Sequence, residues 1–264
     1  MTQAVSVHML PQFVEPQSLR GGVAVMIDIL RASTTVVHAL AREAAAIVPC
    51  ETVEEAWKLK TSLEDQTRTS PGGRSVLLGG ERQGERIDRF DLGNSPLAYT
   101  TDVVAGKTIV FTTTNGTRAL GTCRAADRVL VGAFVNRTAL VRVLKQDGRP
   151  VHLVCAGTDG GLTAEDILFA GAVASDLTGM RAVPAGDEIP TPLDIQTQMA
   201  IDYFRARSTN EATLRETIRF SRGGQNLLRL GMDADIDRAA QSDLFDIVPE
   251  WRPDQNRIVP ARRT

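Results

Sequence analysis

The sequence predicts an α/β protein, a three-layer α/β/α sandwich around a largely parallel or mixed sheet. Three observations carry this expectation. Short unbroken apolar runs recur along the chain, segments with helical spacing lie between them, and polar turns rich in Gly, Ser and Thr follow several of the runs.

Strands are predicted over residues 5–10, 23–28, 45–48, 76–78, 108–113, 128–131 and 151–155, and helices over 33–42, 52–64, 116–125, 136–146 and 163–177. The run Val23 to Ile27 is apolar throughout, as a strand buried on both faces requires, so Asp28 falls at its carboxyl end. Ser33-Thr34-Thr35, followed by Val36, Val37, Ala39 and Leu40, reads as a capped helix. Asn115-Gly116 could close a type I′ hairpin. Thr117 as N-cap, with Ala119, Leu120, Cys123 and Ala126 at helical spacing, favours strand–turn–helix instead. The last predicted helix carries Ile167, Leu168, Ala170, Gly171 and Ala174 on one face. Residues 67–74 read as an exposed connection and 179–192 as a second break, after which 193–246 is mainly helical in pattern. The stretch 251–264 reads as a tail lying along the surface or packing on a partner subunit, which leaves room for a homodimer.

With 264 residues, 42% of them hydrophobic, the chain can bury a full core as a single domain over 1–264, or as two closely packed lobes with the helical part from about 193. A formal net charge of −2 argues against bulk binding to nucleic acid. No apolar stretch approaches the roughly 20 residues needed to span a bilayer, and a signal peptide is not evident. Cys50, Cys123 and Cys155 are odd in number, far apart and set among apolar residues, so they read as buried thiols in a reducing, cytoplasmic compartment. His8, His38 and His152 form no cluster, which weakens a zinc site and favours oxygen ligands for a hard cation.

Ligands of open α/β sheets bind outside the carboxyl ends of the strands, and here those ends carry the chemistry. Asp28 and Arg31 stand at the first such end, either as functional groups or as a pair that steadies the loop. Gly80-Glu81-Arg82-Gln83-Gly84 and Phe90-Asp91-Leu92-Gly93-Asn94-Ser95-Pro96 follow the strand at 76–78 as one long polar loop, the kind that a ligand, an ion or internal hydrogen bonds must order. The Thr112 to Arg118 turn offers hydroxyls and N–H groups to phosphate oxygens. Glu165 and Asp166 open a helix, where its dipole alone favours acids. Carboxylates at several independent strand ends suit Mg²⁺, which takes one or two of them with waters and a substrate oxygen.

These motifs together resemble the 2-phosphosulfolactate phosphatase family. The resemblance rests on Val25-Met26-Ile27-Asp28-Ile29-Leu30-Arg31-Ala32-Ser33-Thr34-Thr35, Gly80-Glu81-Arg82-Gln83-Gly84, Phe90-Asp91-Leu92-Gly93-Asn94-Ser95-Pro96, Thr113-Thr114-Asn115-Gly116-Thr117-Arg118 and Glu165-Asp166. It runs in order from about Val5 to Pro249 and extends more loosely to Ser221-Arg222-Gly223-Gly224 and Asp235-Ile236.

The resemblance implies a three-layer α/β/α fold and a Mg²⁺-dependent phosphatase. Its substrate would be (R)-2-phospho-3-sulfolactate, hydrolysed to (R)-3-sulfolactate and phosphate in a coenzyme M type pathway. Asp28, Arg31, Glu81 and Asp91 would then be catalytic, with Mg²⁺ held among Asp28, Glu81, Asp91 and Asp166. Arg82, Asn94, Ser95, Thr114, Asn115, Gly116, Thr117, Arg118 and Arg222 would bind substrate. The substrate's roughly four negative charges suit a pocket of guanidinium groups and a metal. The Asp-x-Asp pair of haloacid dehalogenase phosphatases is missing, because the second position is Leu30, so a metal-activated water is the expected attacking group rather than Asp28. Two rivals stand beside this reading: a phosphatase of another phosphorylated 2-hydroxy acid, and a non-catalytic protein that binds an anionic metabolite.

Overall fold

The computed structural model describes residues 3–68, 75–179 and 193–262. In chain order the elements are β1 (Val5–His8), β2 (Val23–Ile27), α1 (Ala32–Ala41), β3 (Ala46–Pro49), α2 (Val53–Arg68), β4 (Val76–Arg82), β5 (Glu85–Arg86), α3 (Thr101–Val104) and β6 (Thr108–Thr112). There follow α4 (Gly116–Thr122), β7 (Arg128–Gly132), α5 (Arg137–Asp147), β8 (Val151–Cys155), α6 (Ala164–Thr178), α7 (Ile195–Arg207), α8 (Glu211–Phe220), α9 (Arg222–Arg229), α10 (Asp233–Ala239), β9 (Pro249–Arg252) and β10 (Arg257–Pro260). The predicted break at 179–192 lies outside the described residues from 180 on, as does the connection at 67–74 from 69 on.

The strands form one mixed sheet in the order β1-β8-β2-β7-β9-β10-β3-β6-β4-β5. Two parallel blocks make it up, β1-β8-β2-β7 and β3-β6-β4. Between them lies the antiparallel hairpin β9–β10, with Trp251 opposite Val129 on one side and Ile258 opposite Ile47 on the other. The predicted surface tail is therefore an interior part of the sheet. Pro249, Pro253 and Pro260 and the charges of Arg252, Asp254 and Arg257 hide its strand character, since only alternate residues such as Trp251 and Ile258 are buried.

Layering follows from the period-two alternation of side chains. Val23, Val25 and Ile27 of β2, with Leu130, Leu153 and Cys155, pack against Leu140 of α5 and Leu168, Phe169 and Val173 of α6. Ala24, Met26, Val129, Val131, Ile109 and Phe111 turn the other way, toward Val36 and Leu40 of α1 and Ala119 and Leu120 of α4. On the far block Val48, Val110 and Leu78 pack with Ala56 of α2. This is the three-layer sandwich that the sequence predicts. No helix among the described residues is long and apolar enough to cross a membrane.

Three antiparallel steps reverse the second block relative to the first. Five steps separate β2 from β6. A twist of about 20–25° per strand accumulates over them to roughly 100–125°. The carboxyl ends of β2 and β6, one from each block, meet: a Cβ on Gly116 would stand 2.7 Å from Asp28 Oδ2.

Candidate functional site

Asp28 leaves β2 into a tight reversal held by Ser33, whose N–H and hydroxyl both donate to the Asp28 carbonyl at 2.8 Å. The same hydroxyl oxygen accepts from the Asp28 N–H at 3.2 Å. Helix α1 begins one residue earlier than predicted, and its cap is not Ser33. Asp28 itself supplies it: Oδ1 accepts from the Ala32 N–H at 3.2 Å. The Ser-Thr hydroxyls turn back instead onto main-chain carbonyls, Thr34 onto Ile29 at 2.8 Å and Thr35 onto Asn94 at 2.9 Å. Asp28 is 7% exposed.

The turn after β6 meets it. Helix α4 starts at Gly116 with Asn115 at the cap, so Thr117 lies within the first turn and donates to the Thr113 carbonyl at 2.8 Å rather than capping. Gly116 is required there by contact: a Cβ would stand 2.6 Å from Ala32 Cβ and 2.7 Å from Asp28 Oδ2. Glu81, at the end of β4, ties this turn to its own loop by accepting from the Thr114 N–H at 2.7 Å and the Gly84 N–H at 2.8 Å. Gly80, at φ +150, lets β4 pass the Thr112 carbonyl closely enough to deliver Glu81.

The start of α6 closes the third side. Asp166 accepts from the Ile29 N–H at 2.8 Å and the Gly157 N–H at 3.0 Å, pinning the loop after β8 to the residue after Asp28. Beside it, Glu165 is 1% exposed and packs under Gly223 at the start of α9, and its Oε2 has no hydrogen-bond partner.

These acids are ill at ease as anions. Burial first, then the charges of Asp166, Glu81 and Glu165, holds Asp28 well above the usual carboxylate range. Burial pushes Asp166 up to about 6, and burial with the Asp166 charge pushes Glu165 to about 8. Among the described residues, none of the hydrogen bonds to Asp28, Glu165 or Asp166 comes from an arginine or lysine. Also among those residues, no three His, Cys, Asp or Glu side chains stand together as a protein-only metal cage.

The remaining predicted residues sort by position. Arg31 does not pair with Asp28; it is 3% exposed, and its Nη1 donates to Asp235 Oδ2 at 2.6 Å while Nη2 donates to the Gly84 carbonyl at 2.6 Å. Ser95 donates to the other oxygen of Asp235 at 2.6 Å. Asn94 is buried, its Oδ1 without a partner, as is the Thr114 hydroxyl. Arg82 turns onto main-chain carbonyls of Glu81 and Glu51, at 2.7 and 2.9 Å, and onto the Thr112 hydroxyl at 3.0 Å.

Asp91 stands apart from the acid cluster. It accepts from the Leu78 N–H at 2.8 Å and lies 3.8 Å from Lys60 of α2. Asn115 accepts from the Asp159 N–H at 3.3 Å, Asp159 pairs with Arg222 at 3.0 Å, and Arg118 is exposed on α4. Glu165, Asp159 and Asp235 are the contributors that the predicted set lacks. Glu165 was legible as the neighbour of Asp166 and Asp235 as part of a motif, but nothing in their spacing revealed their partners.

Fold and site together define a mixed-sheet α/β enzyme whose buried acidic cluster is assembled near the carboxyl ends of several strands. The model of one family, described as 2-phosphosulpholactate phosphatase, matches residues 8–254, and the chain belongs to that family. A protein of Symbiobacterium thermophilum named probable 2-phosphosulfolactate phosphatase is 38% identical over 239 residues, covering 90% of this chain and 95% of its own. Proteins of the same name from Clostridium perfringens strain SM101 and Thermotoga petrophila are 31% identical over 257 residues (97% of both chains) and 37% identical over 226 residues (86% of this chain, 87% of the relative).

Proposed function

We propose that this chain is a Mg²⁺-dependent phosphatase, acting in the cytoplasm, that hydrolyses (R)-2-phospho-3-sulfolactate to (R)-3-sulfolactate and phosphate, as a coenzyme M type pathway requires. The relatives' names support the substrate. The three buried free thiols of Cys50, Cys123 and Cys155 support the reducing compartment. The observation that carries the chemistry is the packing of Asp28 against the Gly116 turn, with Glu81 delivered from the end of β4 and Glu165 and Asp166 from the start of α6.

Buried acids without a cationic partner repel one another and would repel a phosphate ester. A divalent cation resolves both conflicts. The orphaned Oε2 of Glu165 and the burial of Asp28 beside the charges of Asp166, Glu81 and Glu165 fit such an ion. Asp28 and Glu165 would hold it, while Glu81 and Asp166, each already accepting two main-chain N–H groups, support the cluster from behind. When bound, Mg²⁺ supplies charge neutralisation at the phosphoryl oxygens, using one or two protein carboxylates and otherwise water and substrate oxygens.

In this reading the chain's own residues do the rest. Thr114, Asn115, Gly116 and Thr117 face the phosphate, with the unpartnered Thr114 hydroxyl available to it. Arg118 and Arg222, on exposed positions, take the carboxylate and sulfonate by guanidinium hydrogen bonds. Water adds to phosphorus as the ester P–O bond breaks, and the proton it loses passes, by way of one of the acids of the cluster, to the departing alkoxide oxygen, which leaves as the hydroxyl of sulfolactate.

Phosphate release from 2-phospho-3-sulfolactate, 2-phospholactate and 2-phosphoglycolate, with Mg²⁺ and with EDTA, tests the proposal. Turnover is expected to be fastest on the sulfonated ester and to stop with EDTA. Absence of release from all three with Mg²⁺ present would overturn it. A phosphoenzyme trapped in the wild type and lost in Asp28→Asn would make Asp28 the attacking group instead of water.

A further inference from the structure

Resting on the phosphatase reading, we infer that Asp235, on the C-terminal helix α10, is a positioning residue for the site, acting through Arg31. Among the described residues, the Asp235 carboxylate accepts from Arg31 and Ser95 and shares no hydrogen bond with the acids around Asp28. Its effect runs along a continuous chain of hydrogen bonds. Asp235 Oδ2 holds Arg31 Nη1 at 2.6 Å; Arg31 Nη2 holds the Gly84 carbonyl at 2.6 Å; the Gly84 N–H holds Glu81 Oε2 at 2.8 Å; Glu81 Oε1 holds the Thr114 N–H at 2.7 Å. The last link is the turn that packs Gly116 onto Asp28.

Burial gives the chain its force. Arg31 and Asp235 are each 3% exposed and Glu81 is 8% exposed, so water cannot replace a lost partner. Arg31 also directly follows Leu30 at the α1 cap, three residues from Asp28, and the Met232 sulfur lies against its guanidinium at 2.8 Å. The second Asp235 oxygen accepts from Ser95 at 2.6 Å, which fixes the carboxylate's rotation. A carboxylate held at both oxygens, with its cation gripping the loop of Glu81, is built to set a position rather than to react. The helices after residue 193 thereby help to form the site.

A double-mutant cycle tests this, using Asp235→Asn, Arg31→Met and the pair, with kcat/KM measured well below each variant's melting temperature. Asp235→Asn is expected to lower kcat/KM by about 10–100-fold, as loss of an outer support typically does. The double variant should be no worse than Arg31→Met alone, and Asp235→Glu should recover part of the loss. A merely structural role would lower the melting temperature and leave kcat/KM of the folded protein unchanged, and that result, or additive losses, would overturn the inference. If Asp235→Asn does not fold, Ser95→Ala, which frees the carboxylate's rotation, should lower kcat/KM several-fold, and an unchanged value would overturn it.

Should the wild type hydrolyse no phosphate ester, the phosphatase reading fails by itself. The same cycle is then read on inorganic phosphate binding by calorimetry in the presence of Mg²⁺. Weaker binding by Asp235→Asn sustains the positioning role, and equal binding or none by the wild type overturns it.

Discussion

Nη1 of Arg31 meets Oδ2 of Asp235 at 2.6 Å although 204 residues separate them in sequence. Both side chains are almost wholly buried, so the pair joins the start of α1 to α10 with its charges out of water. Removing one member strands the other: Asp235→Ala should cost about 3–5 kcal/mol of stability. Replacing both by apolar residues of similar volume, as in Arg31→Met with Asp235→Leu, should restore most of it. Urea unfolding of the two variants checks this, and equal losses in both would refute it.

Gly116→Ala should damage both stability and turnover. Its methyl group would lie 2.6 Å from Ala32 Cβ and 2.7 Å from Asp28 Oδ2, so α4 or α1 must shift. Overpacking of this kind costs about 1–3 kcal/mol. Displacement of the turn by about 1 Å should lower kcat/KM on the order of 100-fold. Thermal melts and steady-state kinetics on one preparation measure both.

Asp28→Asn should abolish turnover and yet stabilise the metal-free protein at neutral pH. The folded state holds the Asp28 carboxyl above its ordinary value of 3.8, so its contribution is fully present below that pH and is lost as pH rises through the folded value. Asparagine escapes that loss. Melting temperatures of variant and wild type should therefore coincide near pH 3.5 and diverge toward pH 8, by about 2–4 °C for each kcal/mol. A variant less stable than wild type at pH 8 would contradict this.

Asp147 predicts the opposite slope. Hydrogen bonds from Arg149 at 2.6 Å and Arg128 at 2.9 Å lower its carboxyl from 3.8 to about 2. Stability from this cluster is present above the ordinary value and is lost as pH falls through about 2. Allowing for screening at the half-exposed Arg149, Asp147→Asn should cost roughly 1–2 kcal/mol at pH 6 and little at pH 2. Chemical denaturation across that range gives the difference directly.

Much of the site is legible in the sequence because strand ends obey a local rule. An unbroken apolar run must be buried on both faces, so the polar residue that ends it, such as Asp28 or Thr113, emerges at the sheet margin. What a side chain does after emerging depends on distant neighbours. Asp91 is drawn to the Leu78 N–H and toward Lys60, and Arg31 is taken by an acid from the far end of the chain. The same limit hides β9 and β10. Their pattern of one buried residue in two becomes a strand only once β7 and β3 offer free edges on either side.

Trp251→Ala tests the hairpin's contribution. The indole is 4% exposed, lies under the Arg124 guanidinium at 5.1 Å and donates to Asn256 Oδ1 at 3.4 Å. Truncation should cost about 3–5 kcal/mol, measured as a fall in the urea midpoint.

The placement of that hairpin also bears on biosynthesis. Every other strand among the described residues is translated before residues 249–260, yet these join the two halves of the sheet. Until then β7 and β3 present unsatisfied edges, the features through which nascent chains mispair with one another. Closure of the sheet thus waits on residues 249–260, which cover both edges at once.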